Sequence, residues 1–165
     1  MSTLDREAKA RVRAASREAF EHPEVVRTLA SAGELHAFAE AFNWDDASVA
    51  ALVEVVRHPR CDAGTAKMLY WLADPDDLFS EASTREELAS ALGIEGGEES
   101  EEGEGDALRL QHWDLLMEIE ERLAAGRFAT AEVPFEPPYE PSDEPVEGRP
   151  IPRALLEPIP RRSRP

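Results

Sequence analysis

Cysteine occurs once in this chain of 165 residues, at Cys61, so no internal disulfide can form and no zinc site built from several thiolates is available. Long apolar runs are also missing. No segment approaches the roughly 20 apolar residues that a membrane-crossing helix needs, and the N-terminus, STLDREAKARVRAASREAF, mixes charge with alanine where a secretory leader carries an apolar core. Basic residues are scarce, 18 against 35 acidic, which leaves a formal charge of -17. A surface of that sign repels phosphate backbones, so nucleic-acid binding is not expected, whereas a protein partner with a basic surface is. The expectation is a cytoplasmic chain that stays off membranes.

Charge and proline divide what is there. Residues 1–92 have the composition of a helical domain. Residues 93–105 are an acidic flexible linker, because EGGEESEEGEG offers only Glu, Gly and Ser and cannot bury enough apolar surface to offset the entropy of ordering. Residues 106–126 suit one amphipathic helix packing on the domain or on a partner, and 127–165 form an extended Pro-rich tail. Ten of the 13 prolines lie between Phe128 and Pro165. That density argues against regular helix and favours polyproline-like chain. Val133, Phe135, Tyr139, Val146, Ile151, Leu155, Leu156 and Ile159 punctuate the tail, as in a segment lying across a groove on this molecule or a partner.

Within the domain the spacing predicts short helices. The first covers residues 3–20, with Thr3 as N-cap and five basic side chains, Arg6, Lys9, Arg11, Arg13 and Arg17. A second opens at Pro23 and closes at Gly33. In ELHAFAEAF, Leu35, Phe38, Ala39 and Phe42 fall at the spacing of a buried face. Asp45 or Asp46 caps the next helix, whose core face is Val49, Leu52, Val53 and Val56, and Pro59 ends it. Asp62 caps a helix with Ala66, Leu69, Leu72 and Ala73 inward. A short turn through Phe79 follows, then TREELASALG with Ser83 or Thr84 as cap. In the long helix after the linker, Leu108, His112, Leu115, Leu116, Ile119 and Leu123 share one face. Leu110, Trp113 and Met117 lie opposite and are assigned to a partner. The fold class is therefore all-α, a small irregular domain of short helices.

Candidate chemistry concentrates between Phe42 and Leu72, which holds Trp44, Trp71, Tyr70 and Cys61. His36 and Glu40 have the i, i+4 spacing of metal ligands, but no third ligand accompanies them, and no metal or other cofactor is expected. His58, Cys61 and Asp62 superficially resemble a nucleophile with a base, and a helix N-terminus favours a thiolate. No oxyanion site or glycine loop accompanies them, so no catalytic residue is assigned. Asp45, Asp46, Asp62, Asp74, Asp76 and Asp77 each stand where a helix cap or turn is needed. Trp44, Tyr70 and Trp71 either line a pocket or belong to the core.

The segment from about Glu34 to Ala73 resembles a bacterial family known as domain of unknown function 4274. The matching residues are Leu35-His36, Asn43-Trp44-Asp45-Asp46, His58-Pro59, Cys61-Asp62, Gly64-Thr65-Ala66 and Tyr70-Trp71, with Lys67 where an apolar residue is expected. The N-terminal helix, the linker and the tail fall outside that segment. The resemblance implies a small all-helical domain and no established activity. Two functions follow as expectations. The first is a non-enzymatic protein-binding module, an adaptor or an immunity-type inhibitor. The alternative is a small enzyme or ligand-binding domain centred on the Asn43-Asp46 and Cys61-Thr65 motifs, and the candidate contacts for a ligand or a partner are Asn43, Trp44, Asp45, Asp46, Cys61, Asp62, Thr65 and Trp71.

Overall fold

Asp5, in extended conformation, accepts a hydrogen bond from the Ala8 amide and so starts helix α1 (Arg6–Glu18). In the computed structural model, which describes residues 4–44, 48–94, 104–138 and 149–160, α1 buries Ala8, Val12 and Ala15. Thr3, expected as the cap, lies outside the described residues. Pro23 opens a 3₁₀ helix (Pro23–Thr28) that ends well before Gly33. Gly33 instead falls in the first turn of α2 (Ala32–Glu40), which Ser31 caps through the Glu34 amide. The helix boundary moved because a cap hydroxyl at Ser31 satisfies an amide that a glycine cannot.

Helix α3 (Ala50–Arg57) buries Leu52 and Val56 as its spacing predicts, and His58 leaves helical geometry just before Pro59. Its N-terminus corrects the sequence reading. Val49 occupies the cap position and the Ser48 hydroxyl accepts from the Ala50 amide, while Asp45 and Asp46 lie outside the described residues. Asp62 does cap α4 (Ala63–Leu72). Asp74, with a φ of 53° in the left-handed region that short polar side chains tolerate, turns the chain into α5 (Pro75–Glu81). At α6 (Arg85–Ala91), Thr84 and Glu87 form a reciprocal capping box.

The long helix α7 (Glu104–Ala124) begins two residues before the expected Asp106. It packs on α3, α4, α5 and α6, which makes it the central strut of the domain. Leu115, Leu116 and Ile119 are fully buried. The opposite face is buried too, which overturns its assignment to a partner. Leu110 and Trp113 are in the core, Met117 packs against it, and the Trp113 ring meets Phe79 edge to face at 5.2 Å. Short helices surround α7, so both of its apolar stripes find cover within the chain. Of the expected acidic linker, Gly93 and Ile94 form a turn after α6, Glu104 and Gly105 open α7, and 95–103 lie outside the described residues.

The tail is ordered against this body where it is described. Residues 127–138 run outside regular helix or strand, pairing through isolated bridges from Thr130 to Asp62 and from Phe135 to Ile159, the second of which brings residues 149–160 back beside them antiparallel. Contrary to the proline argument, a one-turn helix α8 (Arg153–Leu156) interrupts the returning segment, starting right after Pro152 and burying Leu155 completely. A proline just ahead of the first turn withholds no amide that the helix needs. Among the described residues no helix is long and apolar enough to cross a membrane.

Ion pairs fasten the periphery. The Arg11 guanidinium on α1 forks onto the buried Glu34 carboxylate of α2 at 2.9 Å through both Nε and Nη2, and the Ala30 amide and Ser31 hydroxyl also donate to it. The Arg11 hydrogen bond is the main reason that the Glu34 carboxyl is held down at about 2, against an ordinary 4.5. A carboxyl depressed in the folded state favours folding above the unfolded-state value and loses that contribution as pH falls toward the folded one. Glu34→Gln is therefore expected to lower stability at pH 7 by about 1–3 kcal/mol. The gap to wild type should close between about pH 4.5 and 2 in urea titrations; a gap unchanged across that range would contradict the assignment.

Candidate functional site

Asp62 is the most constrained side chain of the motif region. Its backbone lies between Cys61 and the first turn of α4, and its carboxyl group is completely buried. One oxygen, Oδ1, accepts from the Gly64 amide at 2.7 Å, the ordinary capping bond, and from the Val133 amide at 3.2 Å. The other, Oδ2, accepts from the Glu132 amide at 2.7 Å and from the Thr130 hydroxyl. One residue thus caps a helix and grips three donors of the tail, on Thr130, Glu132 and Val133. Main-chain bonds run alongside: the Ala63 amide donates to the Thr130 carbonyl at 2.8 Å, and the Ala129 amide to the Cys61 carbonyl at 3.0 Å.

Gly64 explains why the motif has no side chain at that position. A Cβ there would stand 2.1 Å from the Val133 carbonyl oxygen, far inside van der Waals contact, so the tail backbone passes where any other residue would put an atom. Farther along α4, Lys67 is buried and its ammonium donates to the Glu157 carbonyl at 2.6 Å, 6.0 Å from the centroid of the Phe135 ring. That contact accounts for a lysine in place of the expected apolar residue. Burial lowers its pKa. Trp71 donates from its indole nitrogen to the Leu155 carbonyl at 3.3 Å. Asp62 and Gly64 at the start of α4 thus hold the first tail segment, Thr130 to Val133, while Lys67 and Trp71 farther along hold the returning segment at Glu157 and Leu155; between them they define a groove on α4 filled by the same chain.

A second tether closes the far end. Arg149 forks onto Glu120 of α7 at 2.7 and 2.6 Å, the Tyr70 hydroxyl donates to the same carboxylate at 2.9 Å, and the Arg149 guanidinium lies 5.1 Å from the Phe79 ring centroid. Burial, reinforced by the Glu120 charge, pushes the Tyr70 hydroxyl far above its ordinary range.

The remaining motif residues take structural positions. Thr65 is buried and its hydroxyl meets His36 Nδ1 at 3.2 Å, linking α4 to α2. Burial lowers the His36 pKa, and Glu40 is exposed on the next turn rather than beside a shared ligand. Among the described residues no three His, Cys, Asp or Glu side chains converge as metal ligands. Trp44 is half-buried with its ring edge to face against Phe42 at 6.0 Å and His112 at 5.5 Å, and Asn43 is exposed beside it. The Asn43-Trp44 motif thus faces α7 while Cys61-Asp62 faces the tail. Asp45 and Asp46 lie outside the described residues.

Cys61 and His58 do not form a catalytic pair. His58 Nδ1 accepts from the Arg60 amide at 3.1 Å, and the Cys61 thiol points to the Asp62 carbonyl at 3.7 Å. Burial, with the Asp62 charge behind it, pushes the thiol up to about 12. Open hollows lie elsewhere: one of about 230 Å³ beside Phe20, Phe38 and Phe42, and one of about 410 Å³ beside Arg27, Glu54 and His58.

The residues that sequence reasoning missed are Thr130 and Glu132, together with the Glu120-Arg149 pair that Tyr70 joins; Val133 is read from the sequence as a groove-lying residue, without its partner. The misfit lysine at position 67 and the apolar punctuation of the tail were the available signals. A helical domain whose fourth helix is clasped by an extended segment is the class that these contacts define. The chain belongs to the family described as Domain of unknown function (DUF4274), whose model matches residues 30–124. The match reaches well beyond 34–73 and takes in the acidic run and α7, as expected of a helix that supplies the centre of the core. No curated protein and no solved structure matches the chain.

Two outcomes check this geometry. Cys61 should resist a thiol reagent at pH 8 and react at least tenfold faster once guanidinium unfolds the chain, since the thiolate is the reactive form; equal rates would refute its burial. Gly64→Ala should cost about 1–3 kcal/mol through overpacking and speed tryptic cleavage after Arg127, whereas unchanged cleavage would mean that the tail does not press on Gly64.

Proposed function

We propose that the protein is a non-enzymatic protein-binding module, an adaptor or an immunity-type inhibitor that meets a partner with a basic surface. The observation that carries this reading is the fate of Asp62. The motif residue best suited by type to chemistry is fully buried and spends its oxygens on the backbone of an extended segment, which is peptide-holding geometry. The buried, protonated thiol of Cys61 favours the same reading over nucleophilic catalysis.

Charge supports the choice of partner. Arg11, Arg27, Arg57, Arg85, Arg109 and Arg149 are paired with carboxylates of the same chain, so much of the basic complement is neutralised internally while the chain keeps its charge of -17. On the exposed face of α1, by contrast, Arg6, Lys9, Arg13 and Arg17 line up. An acidic surplus steers encounter with a basic protein and does so less as salt screens it. Immobilised full-length protein should therefore retain a stoichiometric basic partner from lysate at about 50 mM salt and lose most of it at about 300 mM. Recovery of no stoichiometric partner at either salt would overturn the proposal.

A further inference from the structure

The geometry points to the α4 groove as a binding site for an extended segment of a partner protein with the pattern Thr-x-x-Val-x-Phe, held in reserve by this chain's own Thr130–Phe135. The inference rests on the reading of the chain as a protein-binding module and names the site by which it binds.

Three observations carry it. The groove recognises its occupant chiefly through the main chain: Asp62 takes the Glu132 and Val133 amides, Ala63 and Cys61 pair with Thr130 and Ala129, and Gly64 leaves room for the Val133 carbonyl. Side-chain selectivity comes from the Thr130 hydroxyl on Asp62 and from Val133 and Phe135, which are buried, whereas Ala131 and Glu132 are exposed. Any chain with those three side chains in extended conformation makes the same contacts. Second, the holding residues Cys61, Asp62, Ala63 and Gly64 lie inside the stretch that matches the family model, and the held segment begins after that stretch ends at 124. Third, the segment leaves α7 through Gly126, whose φ of 64° marks a turn at which the chain can swing away without disturbing the helix. An emptied groove would leave Asp62 only the Gly64 amide among its described partners, and a replacement segment restores the lost bonds.

Competition sets the affinity. A tethered segment has an effective concentration in the millimolar range, so the wild-type groove accepts a rival only weakly, and weakening the tether's own hold opens the site. The test uses the full chain and a labelled peptide of residues 127–138, RFATAEVPFEPP, followed by fluorescence anisotropy. Glu132→Pro, which removes an amide held by Asp62, should bind the peptide at least tenfold more tightly than wild type. Adding Gly64→Ala to that variant should abolish binding. If Glu132→Pro fails to fold, Thr130→Val removes only the hydroxyl and serves instead. In a nitrogen-15 spectrum of the wild type, excess peptide should also move the Ala129 to Val133 amides to unfolded positions while Gly64 stays in place. Equal affinity of wild type and tail variant, or binding indifferent to Gly64→Ala, would overturn the assignment. So would association of the tail variant with wild-type chains in the absence of any peptide binding, which would point to exchange between copies. If the peptide fails and a partner is still recovered from lysate, the groove assignment falls and the module reading stands.

Discussion

A carboxyl group removed from water needs its lone pairs occupied, and at Asp62 that requirement ties together two parts of the chain almost 70 residues apart. The α4 N-terminus supplies one donor, through Gly64, and cannot supply more with a single cap. The tail supplies the rest. Had the tail taken another path, a buried acceptor would stand unsatisfied at a cost of about 1–3 kcal/mol. Several features of α4 depend on this junction: the bare position at Gly64, the buried ammonium of Lys67 and the indole of Trp71, each of which meets tail backbone. The helix that looks like the carrier of an active centre is the seat of a clasp.

Helix α7 is the other organiser, by volume rather than by polarity. It is apolar on two sides, and the short helices α3 to α6 cover both, so the core is continuous from Phe79 to Leu115. The tail clasp and the strut are joined at Glu120, which accepts from Tyr70 of α4 and Arg149 of the tail. A bidentate guanidinium pair lying over the Phe79 ring holds the returning segment against the body with geometric selectivity that a lysine would lack.

The function proposed follows from what these contacts consume. The charged side chains nearest the motif are occupied in holding backbone, and the single thiol is kept protonated by burial. What remains available is surface, and that surface carries an acidic excess.

Much of the fold was legible because local rules were sufficient for it. Apolar spacing located the buried faces of α2 and α3 and, at Ala66, Leu69 and Ala73, that of α4, whereas Leu72, expected inward with them, is exposed at the end of the helix; Pro59 ended α3, and the side-chain chemistry of Asp62 and Thr84 marked where helices begin. The all-helical class and the family were readable from the same residues. Helix starts slipped at α1, which begins from Asp5 two residues past Thr3, and at α3, which begins from Val49 without a side-chain cap, because the point where a chain enters helical geometry is set by the folded backbone as well as by capping chemistry. Periodicity also showed that Leu110, Trp113 and Met117 form an apolar stripe, but not what would cover it, since cover depends on elements distant in sequence. The same limit applies at the candidate site. By its own sequence the chain determined that Asp62 would cap a helix, that position 64 would lack a side chain and that position 67 would be a lysine. Only the tertiary structure decided that these three hold the tail, because hydrogen bonds and close approaches across such separations leave no periodic trace in the residues that make them.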